Sequence, residues 1–150
     1  MGLISFFKGV GEKVFGKSEQ EQQAAPELKA SALLAHVQNL ALPFRKLTVK
    51  VSGDTVILEG ETESQQDAEK IALAVGNVEG VAVVDNNIVV VTPEPEAQFH
   101  TVVKGDTLSK IAKTFYGDAM KYPVIFEANK PMLTHPDKIY PGQVLRIPAL

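Results

Sequence analysis

Residues 47–60 read LTVKVSGDTVILEG. Leu47, Val49 and Val51 alternate with Thr48 and Lys50, the period of a strand with one buried and one wet face, and SGDT then turns the chain into a second apolar run, VILEG. The pattern predicts an antiparallel hairpin. A hairpin with one apolar face needs cover, so the flanking segments are expected to supply helices. Upstream, Glu27 to Leu40 places Leu33, Leu34, Val37 and Leu40 on one helical face, and Pro43 is expected to end that helix. Downstream, Ser64 begins SQQD as a helix cap with Asp67 near the positive end of the dipole. Ala68, Ile71, Ala72 and Val75 then recur at helical spacing until Gly76 and Asn77 stop the helix. From Gly80 to Val91 the alternation of Val84, Asn86, Ile88 and Val90 predicts one long strand with its asparagines on the wet side. The order is helix, strand, strand, helix, strand.

Beyond this unit, TPEPEAQ (92–98) carries two prolines and two glutamates and suits an extended linker. The tail then predicts strand, helix, helix, strand. HTVVK is a short strand. In KGDTLSKIAKTFYG, Asp106 is the expected helix cap and Leu108, Ile111, Ala112 and Phe115 form the buried stripe. A second helix over about Ala119 to Asn129 would turn Val124, Ile125 and Ala128 inward, provided that Pro123 falls in its first turn, where a missing N–H costs nothing. YPGQ fits a type II turn with Pro141 and Gly142 in its central places, leading into VLRIP as the returning strand.

Composition bounds what such a chain can do. At 150 residues, with 45% apolar and 22% charged, it can build one ordinary core or two small ones. A net charge of −3 and the lack of a dense basic run argue against nucleic acid as a partner. With no cysteine, disulfides, thiolate metal sites and thiol nucleophiles are excluded. His36, His100 and His135 are scattered, and no nucleophile elbow, phosphate loop or dinucleotide fingerprint is present. The expectation is a protein without enzymatic activity, transition metal or organic cofactor.

The first sixteen residues, MGLISFFKGVGEKVFG, are unusually apolar for a soluble chain. Their apolar run breaks at Lys8 and Gly9, too early for a secretory signal, and no later run approaches the roughly 20 apolar residues of a spanning helix. The expected location is the cytoplasm, without stable membrane insertion. Three readings of this head stay open. Leu3, Phe7, Val10 and Val14 could share one face of a membrane-surface helix, with Lys8, Lys13 and Lys17 toward lipid head groups. The head could pack on the middle unit and complete its core. Or it could do this and also bind a cation: Gly9 and Gly11 break the helix early, leaving carbonyls that carry the negative end of its dipole. AVGNVEGV (74–81) has the same property at Gly76, Asn77 and Gly80, and converging carbonyls can replace the hydration shell of potassium.

VSGDTVILEG, AEKIA and GNVEGVAVVDNNI together resemble the BON domain over about residues 26 to 91. TVVKGDTLSKIA, IFEANK and PDKIYPGQVLRIP resemble the LysM domain over about residues 98 to 148. The second resemblance implies binding of N-acetylglucosamine polymers such as peptidoglycan through Gly105, Asp106, Thr107, Leu108, Pro131, Met132 and Ile139. Taken whole, the MGL-x-x-F-x-K-x-x-GEK head, the middle unit, the linker and the tail with IFEANKPML resemble a family of bacterial potassium-binding proteins. That resemblance implies a cytoplasmic sensor or buffer that changes conformation on binding. It would hold one potassium ion, replaceable by rubidium or caesium, through the main-chain carbonyls of Phe7, Val10, Glu12, Gly76, Val78 and Val81.

The expected fold is α+β in two small domains. An N-terminal helical strap over residues 1–23 would pack on an αββαβ BON domain (24–91), joined by a linker (92–97) to a βααβ LysM domain (98–150). A monomer is expected, since no apolar stripe is left unclaimed. The alternative is a cell-envelope protein with LysM on peptidoglycan and BON near phospholipid.

Overall fold

The computed structural model describes residues 2–6, 30–78, 80–95 and 97–149. The chain opens with strand β1 (Gly2–Ser5) and continues with helix α1 (Ala30–Asn39), strands β2 (Lys46–Ser52) and β3 (Thr55–Ser64), helix α2 (Gln65–Gly76) and strand β4 (Val83–Thr92). The expected hairpin is present: β2 and β3 pair antiparallel, and the connection Gly53–Asp54 uses a left-handed glycine at φ 63°. On β2, Leu47, Val49 and Val51 are half-buried while Lys46, Thr48, Lys50 and Ser52 are exposed. The outer face carries ion pairs, Lys50 with Glu59 at 2.7 Å and Arg45 with Glu61 and Glu63. Helix α2 carries the chain from β3 to β4, which pair parallel, and the sheet order is β1-β4-β3-β2.

The α+β class and the αββαβ order are found, and the head departs from expectation. Residues 2–5 are a strand antiparallel to β4, with Ile4 opposite Val84. A helical strap on these residues is therefore incorrect, and Leu3 cannot share a helical face with Phe7. An open edge of β4 offers unpaired backbone groups, and pairing with them satisfies the head's own N–H and C=O groups without a helix. Ile4 and Phe6 pack into the domain core, which favours the core-completing reading for these residues. Phe7, Val10 and Val14, and the expected helix start at Glu27, lie outside the described residues.

Helix α1 buries Leu33 and Val37 and ends before Pro43. Leu42 N–H donates to Val37 O and Ala41 N–H to Gln38 O, a Schellman turn with Ala41 at φ 56°. Asn86 also differs from expectation. It shares the parity of the buried Val84 and Ile88, is itself half-buried, and its Oδ1 accepts the Ile88 N–H beyond the reach of β1.

The second domain contains β5 (Gln98–Thr101), α3 (Leu108–Tyr116), a 3-10 turn (Ala119–Lys121), α4 (Tyr122–Ala128) and β6 (Val144–Ile147), with β5 and β6 antiparallel. Pro123 falls in the first turn of α4, as its missing N–H requires. Ile125 and Ala128 face inward, and Val124 is half-buried. Gly142 at φ 93°, with Gln143 N–H donating to Tyr140 O, forms the expected turn into β6. The cap of α3 is Thr107, whose side chain accepts from Lys110 N–H, and not Asp106.

Candidate functional site

Helix α2 positions the first candidate site. Ser64 Oγ accepts the Asp67 N–H at 3.1 Å and sets where the helix starts. At the other end the helix breaks at Asn77: Asn77 N–H donates to Leu73 O at 2.9 Å, and Val78 N–H to Val75 O at 3.3 Å. Gly80, at φ 104°, then bends the chain so that Val81 N–H reaches Val78 O at 3.2 Å. Val78 and Val81 are fully buried and Gly80 is half-buried.

The head arrives beside this loop. Phe6 N–H donates to Ala82 O at 2.7 Å. Its ring lies so close to Gly76 that a methyl group there would overlap it. Of the six carbonyl positions expected to hold an ion, the structure places Gly76, Val78 and Val81 in one buried turn. Phe7, Val10 and Glu12 lie outside the described residues, but residue 6 ends directly against Gly76.

Around the same helix the two domains meet. Val144, Phe99 and Met132 of the second domain join the core of the first. Asn77 Nδ2 donates to Val144 O at 2.9 Å, and Val144 N–H donates to Asn77 Oδ1 at 2.9 Å, the exchange that a neighbouring strand would make. Asn129 does the same for Arg146, at 2.9 and 2.7 Å. The edge of β6 away from β5 is thus completed by two asparagine amides, one from each domain. A buried ion pair closes the interface: Arg146 Nε donates to Glu69 Oε1 at 2.6 Å, with the side chains 9% and 3% exposed. Glu69 Oε2 accepts the Ala97 N–H from the segment joining the domains. Beside them Lys70 donates to Glu127 O, and burial together with the nearby Arg146 charge lowers its pKa.

None of these contacts was read from the sequence. The signals were an arginine inside the apolar VLRIP and a glutamate in a helix whose Ile71–Gly76 is buried on every side. A helix without a wet face needs a second cover.

The expected glycan positions are split between two surroundings. Gly105 and Thr107 are exposed and Leu108 is buried in the second-domain core. Asp106 Oδ2 is held by His100 Nε2 at 2.9 Å and by Val103 N–H at 3.0 Å, which keep its carboxyl below the ordinary aspartate range. Ile139 packs at the edge of that core. Met132 packs instead against the first-domain core, and it lines with Pro131 a cleft bordered by Leu42, Lys70 and Leu73 of the first domain. Among the described residues no helix is long and apolar enough to cross a membrane.

The BON domain model matches residues 29–92 and the LysM domain model residues 100–148. The chain is 44% identical to the potassium binding protein Kbp of Escherichia coli, over 99% of both chains. It is 33% identical to an uncharacterized protein of Deinococcus radiodurans, over 89% of this chain and 56% of that protein. A shorter similarity, 49% over 53 residues, relates 35% of the chain to 11% of a Mycobacterium tuberculosis esterase.

Proposed function

The chain belongs to the family of the potassium binding protein Kbp, and from that premise we propose that it is a non-enzymatic, cytoplasmic binder of one potassium ion that acts as a sensor or buffer. The ion is held by main-chain carbonyls of Phe7, Val10 and Glu12 from the head and of Gly76, Val78 and Val81 from the loop after α2. Rubidium and caesium, similar in size and charge, can substitute. The observation that carries this reading is the seat of Phe6: its N–H on Ala82 O and its ring on Gly76 hold residue 6 beside the 76–81 turn. Carbonyls at the frayed end of α2 carry the negative end of the helix dipole and select by cage size, not by side-chain identity. Valines and a phenylalanine at these positions are compatible with that chemistry. Because the ion would tie the head to a turn that also contacts the second domain, binding should change the relation of these parts.

The envelope reading has less support. Met132, one of the positions expected to meet sugar, packs on the first-domain core, and the Asp106 carboxylate is engaged by His100.

Thermal unfolding in potassium, rubidium, sodium and choline chlorides at equal ionic strength tests the proposal with screening held constant. At about 100 times its dissociation constant the ion adds roughly 2.7 kcal/mol. Midpoints raised by potassium and rubidium but not by sodium or choline are expected. Four coincident curves would remove the ion reading.

A further inference from the structure

Asn77 lies between Gly76 and Val78 in the sequence, and its side chain leaves the first domain altogether. It is 3% exposed, and its amide both donates to and accepts from the backbone of Val144, while Nδ2 also lies 3.3 Å from Met132 Sδ. Among the described residues the turn that follows is anchored within its own domain by Leu73 O and Val75 O at its start, and by Ala82 N–H on Asp54 O and Phe6 N–H on Ala82 O at its end.

The covalent geometry gives this contact a consequence. The Gly76 carbonyl shares a peptide plane with the Asn77 N–H, and the next plane leads to Val78. The φ of −81° and ψ of 21° at Asn77 set how the two planes are inclined. The side-chain amide locked to Val144 holds the Asn77 Cα and Cβ in place, while Asn77 N–H on Leu73 O and Val78 N–H on Val75 O hold the two flanking planes; together they restrict how far the Gly76 carbonyl can swing. Carbonyls that are preset toward one point bind a cation without the cost of ordering them first.

We infer that Asn77 is a positioning residue through which β6 of the second domain presets the Gly76 carbonyl, at the entry to the 76–81 turn, for potassium. The inference rests on the ion reading proposed above. Linkage makes the effect reciprocal: if docking of β6 raises ion affinity, the ion strengthens the Asn77–Val144 contact by the same factor. The two domains then form a single binding unit, with the LysM domain acting on an ion that it never touches.

The experiment uses the full chain and two readouts, the potassium midpoint at constant ionic strength and hydrogen exchange at the Val144 amide. In the wild-type chain potassium, unlike choline, should slow Val144 exchange. Asn77→Ala should raise the potassium midpoint about tenfold, the scale of two buried hydrogen bonds lost, and should abolish the effect of potassium on Val144. Asn77→Asp keeps the shape and the acceptor for Val144 N–H but sets a carboxylate oxygen against Val144 O, so it should also weaken binding. A wild-type chain stabilised by potassium, with Val144 exchange unchanged and both variants binding normally, would overturn the inference and leave the ion reading standing. A wild-type chain with no ion-specific response overturns both.

Discussion

Gly76 shows how much can depend on a missing methyl group. It ends α2, and the Phe6 ring occupies the space that a Cβ would need. Gly76→Ala should displace Phe6, loosen the pairing of β1 with β4 and cost about 1–3 kcal/mol, the range for overpacking a close contact. Urea unfolding should show a lower midpoint with an unchanged slope. The sequence marked Gly76 as a helix stop. That it is also a seat for an aromatic ring 70 positions earlier followed only once β1 was placed.

At the scale of the element, α1 is informative about what punctuation in a sequence means. Pro43 predicted the stop, yet the helix closes earlier through the Schellman turn at Ala41. A left-handed alanine is strained by its Cβ, so Ala41→Gly should stabilise the protein by about 1 kcal/mol. Calorimetry should show a raised midpoint; a lowered one would mean that the entropy lost by glycine outweighs the relief. The local signals that did hold, such as the Ser64 cap and the Pro141–Gly142 turn, are those whose partners lie within three residues. Asp106 failed as a cap because His100, six residues away, competes for its carboxylate.

For the whole molecule the Glu69–Arg146 pair is the decisive polar contact. Both side chains are removed from water and joined across 77 positions, so truncating one leaves the other charged and buried. Glu69→Ala should destabilise by about 3–5 kcal/mol, whereas replacing both with apolar residues of similar volume should cost much less. Unfolding followed separately in the two domains should coincide in the wild-type chain and separate in Glu69→Ala. Coincidence in the variant would show that Val144, Phe99, Met132 and the Asn77 amide hold the domains together without the ion pair.

The sequence by itself determined the BON and LysM units, the helix, strand, strand, helix, strand order of the first after its head, the hairpin, and the end of α2 at Gly76 and Asn77, because alternation, capping and turn chemistry act over a few residues. It also marked both Gly76 and Asn77. Only the tertiary structure decided that the head begins as a strand, that α2 is covered on both sides, and that Asn77 and Asn129 complete the edge of β6. An apolar segment can bury itself equally well as helix or strand, and the choice falls to whichever unpaired backbone it meets. A buried polar side chain is tolerated only where a partner exists, and here the partners of Glu69 and Asn77 come from a domain that local sequence cannot see.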